Sequence, residues 1–125
     1  MKYLILIHQH RGARDEFASF APEMQASALA EYQKLNDDLA ASGEYVAGAA
    51  LDADTTASVV RGVEGSYVRT DGPFAETKEM LAGFYLVDVA SRERAIEIAE
   101  RIPEVRAGAA AIEVRPVLTY DWPEQ

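Results

Sequence analysis

Cysteine is absent from the 125 residues. That excludes disulfides and thiolate chemistry outright, and it fits a reducing compartment. Positive charge is scarce: 12 Lys and Arg stand against 21 Asp and Glu, for a formal net charge of −9. Such a chain repels phosphate backbones, and its arginines are scattered along the sequence, so no nucleic acid is expected as a partner. Long apolar runs are missing too. The opening YLILI is too short for a signal peptide or a membrane span, so no membrane partner is expected and the cytoplasm is the expected location. There is no GxGxxG after a strand, no GxxxxGK[ST] and no GxSxG elbow. What remains for chemistry is His, Asp, Glu, Lys, Tyr and Arg, a vocabulary suited to proton transfer without a cofactor.

What is present is a globular composition, 49% hydrophobic. A chain of this length fits one domain, here residues 1–118, with 119–125 as a C-terminal tail that Trp122 can anchor. Such a domain buries roughly two-thirds of its unfolded surface.

KYLILIHQ, residues 2–9, is short and apolar and predicts a buried strand. HRGARDEFASFAPE is polar and broken by Gly12 and Pro22, so it predicts a loop. A helix is expected from Pro22, a residue suited to a first turn. Its inner face repeats as Met24, Ala28, Tyr32, Leu35 and Leu39, and it stops at Ser42-Gly43. YVAGAAL, residues 45–51, is a second strand. ASVVRG and SYVRT flank VEG as a hairpin. MLAGFYLVDV, residues 80–89, is the strongest strand signal. Ser91 is the expected N-cap of a helix with Ala95, Ile98, Ala99 and Ile102 on one face, ending at Pro103. Residues 104–110 predict a small-residue loop. In AIEVRPVL, Ile112 and Val114 share one face, and Glu113 and Arg115 the other.

The order β-α-β-β-β-α-β predicts a ferredoxin-like α+β fold. Two helices cover one face of a sheet. Yet residues 3–7 and 80–87 are apolar at odd and even positions alike, as in strands buried on both faces. A second copy of the same sheet is the economical cover, so a homodimer with sheets face to face is expected, a dimeric α/β barrel. The alternative is a monomer whose tail covers that face.

TDGPFAETKE, residues 70–79, concentrates polar chemistry directly before the strongest strand. Gly72, next to Pro73, is biased toward extended or glycine-only conformations. Asp71 either caps amides of the turn or stands in a cleft as a general base. Phe74 is either an anchor of the loop or an aromatic wall of a pocket. Lys78 either pairs with Glu76 or Glu79 in solvent or, with Arg11, orients a small anionic ligand. His8 and His10 lie two apart, a spacing that can hold a metal with Asp71 or Glu76 as a third ligand. The strand ends near His10, however, and no metal is expected. An acid/base role for His8 opposite Asp71 is the alternative.

DGPFAETKE followed by LAGFYLVDV resembles the YCII-related family, in particular its DGPF-domain branch. MKYLILI, AGAAL, AERIP and AIEVRPV are similar to that family in order as well, so the resemblance covers about residues 1–118. It implies a dimeric ferredoxin-like α/β barrel. It also implies small enzymes that use a His and an Asp in a cleft, while the DGPF branch brings no established reaction. Members beside extracytoplasmic-function sigma factors imply a role in stress or regulation. The resemblance assigns no role to His8, since this branch is expected to carry an aromatic or other residue there.

Two functional readings follow. One is a small-molecule-binding protein, or a cofactor-free enzyme, with Asp71 and His8 as acid/base and Gly72, Pro73, Phe74, Glu76, Lys78 and Arg11 around the ligand. The other is a non-catalytic accessory or regulatory module that contacts a protein through the loop. A concave site favours the first, and an outward Phe74 favours the second.

Overall fold

The computed structural model describes residues 1–119, so Trp122 and the tail beyond Thr119 lie outside it. The chain is mixed α+β. It runs β1 (Lys2–His10), α1 (Ala13–Ala18), α2 (Pro22–Ser42), β2 (Tyr45–Ala50), a 3-10 turn (Asp54–Thr56), β3 (Ser58–Val63), β4 (Ser66–Asp71), β5 (Glu79–Asp88), α3 (Arg92–Glu100), α4 (Pro103–Arg106) and β6 (Ala110–Pro116). Four strands form one antiparallel sheet in the order β2-β5-β1-β6, and β3-β4 form a separate two-stranded sheet. Among the described residues of a single chain, the strands form no closed barrel.

The alternation of β1 decides the layers. Tyr3, Ile5 and Ile7 are buried, whereas Leu4, Leu6 and His8 are half-buried. The first set packs with Leu35 and Leu39 of α2, Val87 of β5, and Ala95, Ile98 and Ile102 from α3 and its end. Both long helices therefore cover one face of the sheet. Each fully buried Ile or Leu here contributes about 1.5–3 kcal/mol relative to exposure. The register places Leu6 opposite Phe84 and Leu4 opposite Leu86, so these four share the other face, which none of the described helices covers.

α2 begins at Pro22 and ends at Gly43, whose amide bonds back to Ala40 and Leu39. Its expected inner face splits. Leu35 and Leu39 are buried in the core, while Met24 is exposed. Ala28, Tyr32, Asn36 and Ala40, one turn apart, instead face an open cavity. The N-cap Ser91 accepts from the Arg94 amide at 3.1 Å, and Ile112 and Val114 pack against the core.

Two expected loops contain helix. Residues 13–18 form α1, because ARDEFA is made largely of residues that tolerate a helix, with acids in the first turn that suit the dipole. Residues 103–106 form α4, started by Pro103 at its first position.

The hairpin differs from the rest. Every residue of β4 is exposed, and Val60, Val63, Tyr67 and Val68 put apolar surface into solvent. Two strands alone are marginal in water. Among the described residues no helix is long and apolar enough to cross a membrane.

Candidate functional site

Between the helix-covered face of the sheet and the helices α1 and α2 lies a cleft of about 1010 Å³. Its floor is the end of β1 and the middle of β5. There β5 carries one extra residue, Ala82, where pairing with β1 slips between Ile7 and His8. Bulges of this kind re-aim backbone groups beside binding sites. The Ala82 carbonyl accepts from the Leu51 amide at 2.8 Å, and Arg14 of α1 donates to the Leu51 carbonyl. Gly83 is required next to the bulge: a Cβ there would lie 2.8 Å from the Ala49 carbonyl oxygen, so β2 approaches only because the side chain is missing.

One wall is apolar and aromatic. Phe17 and Phe20 meet edge to face with centroids 5.8 Å apart, and both line the cleft with Ile7 and Ala28. Tyr45 and Tyr85 make a second edge-to-face pair at 6.4 Å.

The polar groups form two sets. The Tyr85 hydroxyl donates to Asn36 Oδ1 at 2.6 Å. Farther along, Glu104 of α4 accepts from the Tyr32 hydroxyl at one oxygen and from Gln9 Nε2, at 3.1 Å, at the other. Gln9 Oε1 is buried with no hydrogen-bond partner. Burial, then donation to Glu104, then that residue's charge push the Tyr32 hydroxyl pKa far above the usual tyrosine value. Burial first, then Tyr45 and Glu104, push Tyr85 up to about 12. Both phenols are therefore protonated at neutral pH. They serve as hydrogen-bond donors, not as bases.

The DGPF loop makes a second, shallower depression of about 610 Å³, lined by Arg11, Thr55, Pro73, Glu76, Thr77 and Lys78. The Arg11 amide donates to the Lys78 carbonyl at 3.0 Å, and its side chain donates to the Thr77 carbonyl. Its guanidinium also donates to both carboxylate oxygens of Asp54, at 3.0 and 2.7 Å. That contact holds the Asp54 carboxyl below its ordinary range and raises Arg11. Gly72 has φ 110, the left-handed side that favours glycine, and its amide donates to the Ala57 carbonyl at 2.7 Å. Phe74 points outward, 76% exposed, with the Arg61 guanidinium 5.3 Å above its ring.

The structure brings Arg11, Pro73, Glu76 and Lys78 together but does not join Asp71 to His8. Asp71 ends β4, exposed, accepting from the Ser58 hydroxyl at 3.2 Å. His8 lies on the sheet face away from the helices, with Nε2 3.1 Å from Glu113 Oε1. Arg115, then His8, hold the Glu113 carboxyl below its usual range. Neither Asp71 nor His8 lines either cavity. His10, in contrast, lines the larger cleft near Glu16, at 3.8 Å.

Sequence reasoning assigned no ligand role to Gln9, Asn36 or Glu104. The Gln9–Glu104 contact joins residues 95 apart in the chain, and no local pattern carries it. One signal was available: Tyr32 and Asn36 are polar-tipped residues on the same stripe as Ala28, where a purely structural helix face would be aliphatic.

A family model described as the YCII-related domain matches residues 1–121. An uncharacterized protein of Rhizobium meliloti (strain 1021) is 42% identical over 66 residues, 53% of each chain, so the aligned stretch spans about half the length of that relative.

Proposed function

The chain belongs to the YCII-related family, and from that premise we propose that it is a small-molecule-binding protein of the DGPF branch whose ligand sits in the cleft between α1, α2 and the sheet. The observation that carries this reading is the cleft itself. It has the size of a ligand site, a mainly apolar wall and a few convergent polar groups, the usual make-up of such sites. Its floor is built on β1 and β5, the most buried strands, so the polar groups are held by a rigid scaffold. The protonated state of Tyr32 and Tyr85 supports binding over proton abstraction by these phenols.

The Asp71–His8 acid/base pair finds less support in a single chain, because the two residues sit on different sheets with different partners. The exposed Phe74 and the solvated hairpin favour a second role for the DGPF loop, as a surface that contacts a protein. The strand order and the apolar face of Leu4, Leu6, Phe84 and Leu86 support a ferredoxin-like fold that pairs as a homodimer across that face into an α/β barrel. His8 would then lie in or beside the interface.

The test is a thermal-shift screen of small acids, amines, alcohols and phosphates on the wild type, Ala28→Trp and Asp71→Asn. A ligand that binds the native state raises the melting temperature by mass action. Ala28 is half-buried on the cleft side of α2, so a tryptophan there fills the cleft without entering the core. Hits that vanish in Ala28→Trp and persist in Asp71→Asn support the cleft. Hits that persist in Ala28→Trp and vanish in Asp71→Asn place the ligand at the loop.

A further inference from the structure

Glu104 has no cationic partner among the described residues. Its two oxygens accept only from neutral donors, Tyr32 and Gln9. Among the described residues no Lys, Arg or His pairs with it, and the nearby Arg106 is committed to Glu31. A half-buried carboxylate without a counter-charge is costly to hold in an apolar surrounding. Its field reaches across the cleft: the same carboxylate contributes to the upward shift of both Tyr32 and Tyr85.

Gln9 fixes one oxygen of that carboxylate. Its amide nitrogen is turned to Glu104, since the reverse orientation would set two acceptors against each other. Its Oε1 is thereby left buried and without a donor. That oxygen is sealed inside the cleft wall, so the Glu104 carboxylate is the group that presents an uncompensated negative charge to the cleft. It calls for a donor with positive charge.

The remaining lining agrees. Glu16, with His10 beside it at 3.8 Å, and Asp37 add carboxylates, and Arg14 donates to the backbone carbonyls of Leu51 and Ala82. An anionic ligand would meet like charges here. Phe17 and Phe20 offer an aromatic wall to a ring-sized apolar body.

We propose that the cleft takes a small molecule with an apolar, ring-sized body and a protonated amine, the ammonium seated against the Glu104 carboxylate. The proposal rests on the cleft being the ligand site, and it adds the ligand's charge and the residue that reads it.

The test is calorimetric titration of the full chain at neutral pH with three probes of one shape: phenethylamine, phenethyl alcohol and 3-phenylpropionate. The amine is expected to bind about tenfold more tightly than the alcohol, the margin of one well-placed charge in a partly screened site. The propionate is expected to bind most weakly. Glu104→Gln keeps an acceptor for Tyr32 but removes the charge, so it should erase the amine's advantage and leave the alcohol unchanged. Glu104→Asp, which keeps the charge one methylene farther back, should retain part of it. Ala28→Trp should abolish binding of all three. Equal binding of amine and alcohol, both lost in Ala28→Trp, leaves the cleft standing and overturns the ammonium site. An amine preference that survives Glu104→Gln in a folded variant overturns it as well. No binding by any probe, or binding untouched by Ala28→Trp, overturns the cleft and the ammonium site together.

Discussion

The cleft and the DGPF loop hold their polar groups in different ways. In the cleft, Gln9 and Tyr32 bond to Glu104, and Tyr85 bonds to Asn36, above a core of fully buried Ile5, Leu35, Leu39 and Ile98. At the loop, Asp71, Phe74, Glu76 and Lys78 are exposed, and the strands behind them bury nothing fully. Polar groups in a low-dielectric, packed setting interact strongly and are costly to leave unmet. The same groups in water are already satisfied. The stretch that is richest in polar residues in the sequence is thus the more solvated of the two in space.

Truncation gives the largest expected contrast. Leu39→Ala, beneath the cleft, is expected to lower stability by about 2–5 kcal/mol through lost burial and the cavity left behind. Val60→Ala on the hairpin is expected to change it by less than about 0.5 kcal/mol. Urea unfolding of both variants measures the pair. A hairpin variant as costly as the core variant would mean that the hairpin packs against something, a second chain being the first candidate.

Tyr85→Phe sharpens the cleft side of the comparison. Loss of the hydroxyl bond to Asn36 is expected to cost about 1 kcal/mol at neutral pH. The folded pKa of Tyr85 is raised to about 12 from 10.0. Its contribution is therefore complete below the unfolded value and is lost as pH rises from about 10 toward 12. Stability of the wild type should fall across that window, and Tyr85→Phe should fall less steeply.

Glu44 shows an ion pair that lies between the two extremes. Arg94 grips both its oxygens, at 2.9 and 2.8 Å, and holds its pKa below the ordinary 4.5. A depressed carboxylate stabilises the fold above its unfolded pKa and loses that contribution as pH falls through the folded value. Glu44→Gln is expected to cost about 0.5–1 kcal/mol at pH 7, a figure already reduced for screening. The gap to the wild type should close as the pH is lowered below 4.5, as acid unfolding curves would show.

Asp71→Asn is expected to have the smallest effect, within about 0.5 kcal/mol, because the carboxylate is exposed and asparagine still accepts from Ser58. A large drop in its melting temperature would assign Asp71 a structural role that exposure does not suggest.

Much of the fold was legible. Both-face apolarity at residues 3–7 and 80–87 located the two central strands, Pro22 and Gly43 bracketed α2, and Ser91 capped α3 as its side chain allows. These are local signals: period, capping chemistry and turn residues. The short helices were not legible. Gly12 and the polar surroundings of ARDEFA read as loop, and α4 is one turn that Pro103 starts where a longer helix was expected only to stop. The cleft site was the least legible part, because it is assembled from β1, α2, β5 and α4 by tertiary packing. The motif drew attention to Asp71 through its density of charge, and density of charge more often marks solvent than a site.

The most direct test of the cleft is a map of backbone amide shifts on adding phenethylamine. Occupancy of the cleft predicts that the largest changes fall on Gln9, Ala28, Tyr32, Tyr85 and Glu104, with residues 71–78 nearly still. Changes concentrated on residues 71–78, with Gln9 and Glu104 unmoved, would contradict it and return the ligand to the DGPF loop.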